Sequence, residues 1–156
     1  MQPDDLDVGT LALFVGFAAA DAVQERLAAE GYDDLRFSHG YVFQHLIEDE
    51  PGVGELADKL GVTQQAVSKT IGELERLGYV ERAADPRDAR IHRIRLTARG
   101  RDAVMAARRL RAEMEERLAL AAGRGRLADA RDVLVAALDA LGGTVAVRDR
   151  EVRPPR

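Results

Sequence analysis

The sequence predicts a mainly α-helical chain with one small β-hairpin near its middle and long helices at both ends. Three observations carry this. Apolar residues recur at steps of three and four before residue 78 and after residue 97, with Gly31, Gly61, Gly78 and Gly123 as stops. The period changes to two over Tyr79-Val80-Glu81-Arg82 and Ile91-His92-Arg93-Ile94-Arg95-Leu96. Between these two runs lies Asp85-Pro86-Arg87-Asp88-Ala89-Arg90, which has the composition of a turn. With 156 residues, 46% hydrophobic and 32% charged, the chain can bury a core.

The first helix is expected over about 6–30. Leu11, Phe14, Val15, Ala18, Ala22 and Leu27 form its main stripe, while Leu13 and Phe17 lie off it. A helix apolar on more than one face in a small protein points to a second chain. Residues 8–20 are uncharged, but at about 1.5 Å per residue they fall well short of a bilayer core of about 30 Å. Asp4, Asp5 and Asp7 precede them, whereas a secretory leader starts basic. The expectation is a cytoplasmic protein.

Ser38 is expected to cap a second helix through about residue 48, with Val42, Phe43, Leu46 and Ile47 inward. Pro51-Gly52 ends it. A short third helix covers Glu55 to Leu60 and closes at Gly61. Thr63 caps a fourth, from Gln64 to about Leu77, with Val67, Ile71, Leu74 and Leu77 inward. The hairpin follows, with a basic tip. Thr97 then caps a long helix over about 98–122, interrupted at Gly123 and Gly125. A last helix over 127–141 aligns Leu127, Leu134, Leu138 and Leu141, and the tail from Gly142 is expected to fray.

The first turn of the fourth helix exposes Gln64, Gln65, Ser68 and Lys69, three hydrogen-bonding side chains and a cation. A helix that only had to fold would not need them. Helix, tight glycine turn, helix and basic hairpin together make a winged helix-turn-helix. Its second helix fits the DNA major groove, where glutamine pairs with adenine, serine donates or accepts, and lysine reaches guanine or phosphate. Thr63 divides between capping and backbone contact. The net charge is −4, yet it is uneven. Residues 1–51 hold two basic and eleven acidic side chains, whereas residues 82–101 hold seven arginines against two aspartates. Exposed charges are screened beyond roughly 8–10 Å, so local charge governs phosphate affinity.

At this point the chain resembles the MarR family (multiple antibiotic resistance regulator type). The resemblance is carried by Glu55-Leu56-Ala57 through Leu60-Gly61-Val62, by Leu74-Glu75-Arg76-Leu77-Gly78-Tyr79-Val80-Glu81-Arg82, and by Asp88-Ala89-Arg90 with Leu96-Thr97. It implies an obligate homodimer held by the terminal helices on a pseudo-palindromic double-stranded DNA operator. It implies that Arg90 enters the minor groove with Asp88 orienting it, and Arg87 adds a phosphate contact at the tip. The corresponding division is 1–36 and 98–141 for dimerisation, 37–97 for DNA binding and 142–156 as a flexible tail.

Relatives of this kind commonly release DNA on binding a small aromatic or phenolic effector between the dimer helices and the reading head. Phe14, Phe17, His39, Tyr41, Phe43 and His45 are the pocket candidates here. Cysteine is absent, which rules out thiol redox sensing and thiolate metal sites. The three histidines do not share a helix face with metal-ligand spacing, so no metal and no cofactor are expected. No nucleophile–base pair or phosphate loop appears, so no enzyme is expected. The expected function is transcriptional repression. The rival is a winged-helix module that binds protein through the same surface.

Overall fold

A computed structural model describes residues 2–85, 88 and 92–148. The order is α1 (Val8–Leu27), α2 (His39–Leu46), α3 (Val53–Leu60), α4 (Gln64–Arg76), β1 (Val80–Ala84), β2 (His92–Leu96), α5 (Ala98–Ala122), α6 (Arg124–Ala140) and α7 (Thr144–Arg148). The mainly α architecture with a two-stranded wing is the one expected.

The winged head is α2, α3, α4 and the hairpin around one core. Leu56, Ile71, Leu74, Tyr79 and Ile94 are fully enclosed there, with Val42, Phe43 and Leu46 from α2 beside them. The apolar stripes of α2, α3 and α4 all face this core, because each helix has a single wet side. Gly61 sits at φ 64° between α3 and α4, a left-handed conformation that lets the chain reverse within three residues. Thr63 caps α4 by accepting the Ala66 N–H at 3.2 Å, and Thr97 caps α5 by accepting the Gly100 N–H at 3.1 Å. β1 and β2 pair antiparallel with Val80 opposite Leu96 and Arg82 opposite Ile94. On its other edge β2 is tied to the loop before α3, where Ile94 N–H donates to Pro51 O at 3.0 Å.

Several local expectations are corrected. Ser38 precedes α2, but its backbone is already helical and its side chain caps nothing; a capping oxygen needs an extended residue at that position. The Arg36 N–H instead meets His39 Nδ1 at 3.2 Å. α3 begins two residues early, since Glu55 accepts the Gly52 N–H and so occupies the third helical position. Of Gly123 and Gly125, only Gly123 breaks the helix there. Gly125 lies inside α6, which starts three residues before the expected point. The tail is not wholly frayed, because Thr144–Arg148 forms α7.

α1 is the largest difference. Only Val23 and Leu27 are buried, in a small second core with Ala106 and Leu110 of α5. Leu11, Leu13, Phe14, Val15 and Phe17 are exposed within this single chain. α6 buries no residue at all, with Leu134, Leu138 and Leu141 open to solvent, so its leucines do not complete a monomer core. The helical run Val8–Tyr32 is long and apolar enough to cross a membrane by length and composition alone. The expectation from residues 8–20 understated that length.

The head joins the long helices through a polar knot. The Tyr79 hydroxyl donates to Asp34 and accepts from Arg99 at 2.9 Å. The Arg99 guanidinium also covers the Tyr79 ring, 4.7 Å from its centroid. Burial, then the bond to Asp34, pushes the Tyr79 hydroxyl up to about 12, so it stays protonated and able to donate.

Candidate nucleic-acid interface

The N-terminal half of α4 has two faces. Val67 and Ile71 are buried against the core, and this anchors the helix. Gln64, Gln65, Ser68 and Lys69 are all exposed on the opposite side. The capping bond commits the Thr63 hydroxyl oxygen to Ala66, so its first task is structural. The two glutamines differ. A Cβ at Gly54 would stand 3.3 Å from Gln64 Nε2, so the Gln64 amide lies over the first turn of α3. The first-turn amides of α4 add the partial positive charge of a helix N-terminus to this surface.

Beside it stands the hairpin. Asp88 is half-buried; Arg87 and Arg90 lie outside the described residues. The remaining arginines of residues 82–101 are engaged within the chain. Arg82 meets Glu75 at 3.4 Å and Arg95 meets Glu81 at 2.8 Å. Arg93 holds Asp85 at 2.7 Å and Glu55 at 2.8 Å, and these bonds, Asp85 foremost, raise its pKa above the ordinary arginine value. Arg99 belongs to the Tyr79 knot, and Arg101 donates to Leu96 O at 2.8 Å. The count of seven arginines therefore overstates the free positive charge. Three of the neutralising acids, Glu55, Glu75 and Glu81, precede the counted window, and folding brings them to it.

A cleft of about 250 Å³ separates the head from the long helices. α1 lines it with Val23, Gln24 and Leu27, and α5 with Val104, Arg108 and Arg111. Tyr41 and Phe43 contribute from α2, and Arg36 from just before it. Of the six residues expected at a pocket, Tyr41 and Phe43 line this cleft and the other four do not. Phe14 and Phe17 lie exposed on α1, N-terminal to Ala20, its first residue at the cleft. His39 and His45 are buried in the head and do not line it. Three cleft arginines went unread. Only Arg108 and Arg111 had a sequence signal, since a spacing of three puts them on one helix face.

Arg36 connects the cleft to α4. Its guanidinium pairs with Glu73 of α4 and lies 3.2 Å from His39 Nε2. Burial first, and then the Arg36 charge, hold the His39 imidazole below its ordinary value, against the pull of Glu73 and Asp34. Among the described residues, no three His, Cys, Asp or Glu side chains cluster to hold a metal.

Residues 34–91 match the model of the MarR family. The Staphylococcus aureus MepR–DNA complex is similar to this chain at a TM-score of 0.68, with 23% identity, over 86% of this chain and 97% of that one. YusO from Bacillus subtilis is similar at a TM-score of 0.68, with 19% identity, over 84% and 92%. S. aureus MepR bound to ethidium bromide gives 0.63, with 22% identity, over 88% and 99%. No curated protein matches the chain. The winged-helix fold with its long terminal helices is thus shared with these proteins.

Proposed function

From a reading head that matches the MarR family over residues 34–91, we propose that the chain is a sequence-specific, DNA-binding transcriptional regulator. It acts as a homodimeric repressor on a pseudo-palindromic operator. The observation that carries this is the first turn of α4. Gln65, Ser68 and Lys69 stand exposed on a helix whose opposite face is locked into the core, beside a hairpin. Such a helix enters a major groove by its N-terminus, where side chains reach base edges. Gln64 joins it from the turn, and Thr63 caps it and meets the sugar–phosphate backbone. In the wing, Arg90 enters the minor groove, Asp88 orients it and Arg87 takes a phosphate.

One head covers too little DNA for tight binding. The apolar faces left open on α1 and α6 supply the second copy, which places two reading helices about 34–36 Å apart. On this reading residues 1–36 and 98–141 form the dimer body and 37–97 the reading head. The cleft takes the effector. Its apolar walls and its three arginines suit a small aromatic or phenolic anion. S. aureus MepR, with the same fold, is known both with DNA and with an aromatic ligand, the cation ethidium. A ligand there sits between dimer helices and head, so it favours a head spacing that no longer fits the groove. An anion would also compete with Glu73 for Arg36, loosening a tether on α4.

A second reading is a protein-interaction module. The pairing of the hairpin arginines favours it, because it lowers the charge offered to phosphate. Fluorescence anisotropy on DNA flanking the chain's own gene, titrated with salt, separates the two. A regulator shows sequence preference and a log–log salt slope near −0.9 per phosphate neutralised. Binding that ignores sequence and salt, or no binding, gives the surface to a protein partner.

A further inference from the structure

We propose that Arg93 is a positioning residue for DNA recognition, a strut that sets the wing at a fixed angle to the reading helix without touching DNA itself. The inference rests on the DNA-binding reading above. A two-stranded hairpin has little stability of its own and needs a third element to hold its direction. Val80, Ile94 and Leu96 seat the hairpin's base in the core, and one guanidinium adds a link from the strands toward the first turn of α3. Arg93 Nε donates to Asp85 at 2.7 Å, and Arg93 Nη1 donates to Glu55 Oε2 at 2.8 Å. Asp85 ends β1's side of the hairpin immediately before the tip, and its side chain is only 11% exposed. Glu55 Oε2 also accepts the Gly52 N–H at 2.9 Å, so it is itself held at the start of α3.

The neighbouring residue adds a backbone tie, Ile94 N–H to Pro51 O at 3.0 Å. α3 packs directly on α4 through Leu56 and the core. The wing base, the strand and the helix-turn-helix therefore meet at one planar, forked side chain. Lysine carries the same charge but cannot hold two carboxylates in that fixed geometry.

The sign of the effect tests this, because the partners are acids. Asp85→Asn and Glu55→Gln each remove a negative charge close to a polyanion. Electrostatics alone makes both variants bind operator DNA more tightly. A strut makes both bind more weakly, by about tenfold where a well-placed tip arginine is lost to the groove. Arg93→Lys should weaken binding as Arg93→Gln does. In an Arg87→Ala/Arg90→Ala background, where no tip arginine is left to position, none of these substitutions should weaken binding further. Circular dichroism and the thermal midpoint report whether each variant keeps its fold, and Glu55→Gln serves if Asp85→Asn does not.

Tighter or unchanged binding by the acid variants overturns the strut while leaving DNA binding standing. So does native affinity in Arg93→Lys, or a full loss that persists in the Arg87→Ala/Arg90→Ala background, which would place Arg93 on a phosphate. If the native protein binds no DNA, both this inference and the regulator reading fall.

Discussion

Gly100 approaches the Tyr79 carbonyl so closely that a Cβ on it would lie 2.1 Å from the oxygen. Thr97 N–H donates to that same carbonyl at 3.0 Å, and Thr97 Oγ1 donates to Gly78 O at 2.6 Å. The start of α5 is thus seated directly on the chain leaving α4. The obstructing carbonyl is backbone, so it cannot swing aside. Gly100→Ala is expected to destabilise the protein by roughly 1–3 kcal/mol, the range for overpacking a tight contact. Urea unfolding measures it. A native midpoint would show that α5 can slide on the head without cost.

His39 should give the protein an acid-sensitive stability. Its imidazole is buried and is held below the ordinary 6.5 by desolvation and by Arg36. The unfolded chain then binds a proton more readily than the folded one in the window below 6.5. Stability is complete above that value and declines as pH falls through the folded-state value. Protonation also removes the Nδ1 acceptor used by the Arg36 N–H. His39→Asn keeps an acceptor and deletes the titration. Its thermal midpoint should fall less than the native one between about pH 7 and pH 5. An equally steep fall in the variant would assign the acid sensitivity elsewhere.

The head was legible because its signals are local. Thr63 and Thr97 stand directly before periodic apolar runs, and both cap as a threonine in that place does. Gly61 and Gly78 mark turns that need a left-handed residue, whatever lies around them. What escaped depends on residues far apart in sequence. Glu55 and Arg93 are separated by 38 positions, so the pairing that offsets the basic hairpin has no local trace. Arg36, Arg108 and Arg111 line the cleft because α1, α2 and α5 converge, while Phe14 and Phe17, chosen for it, lie elsewhere on α1. Aromatic character marks apolar burial of any kind. Which helix face turns to a cleft is set by tertiary packing.

The open apolar faces of α1 and α6 make an oligomer prediction. Phe17 is 58% exposed and Leu134 is 44% exposed in the single chain. Removing several such side chains from water on dimerisation is worth roughly 1.5–3 kcal/mol each when burial is complete. Multi-angle light scattering should give a dimer at micromolar concentration. Leu134→Glu, which places a charge within that face, should shift the mass toward one chain or leave the protein unfolded. A monomeric native protein, or a Leu134→Glu dimer of unchanged affinity, would remove α6 from the interface.

Arg90→Ala should separate DNA affinity from assembly. Asp34, Tyr79 and Arg99 hold the head to the long helices without help from the wing tip. The substitution should therefore weaken operator binding while the dimer mass and the unfolding midpoint stay native. An inserted minor-groove arginine is favoured by groove width more than by particular bases. The loss should accordingly be largest on operators with a narrow, A·T-rich segment at the wing position. Unchanged affinity would take the wing out of recognition.

Gln65 should act differently from Arg90, because a glutamine amide reads base edges and an arginine in a narrow groove reads mainly shape. Gln65 is exposed on the first turn of α4, one residue beyond Gln64, whose amide is drawn back over Gly54. Of the pair, Gln65 is the better placed to extend into a major groove. Gln65→Ala should cost about 1–3 kcal/mol on the preferred operator, the value of a good bidentate contact with adenine. On an operator altered at the contacted base pair the same substitution should cost little. Binding to a small set of single-base operator variants measures this difference. A uniform loss across all of them would assign Gln65 to the phosphate backbone, and base reading would pass to Gln64, Ser68 and Lys69.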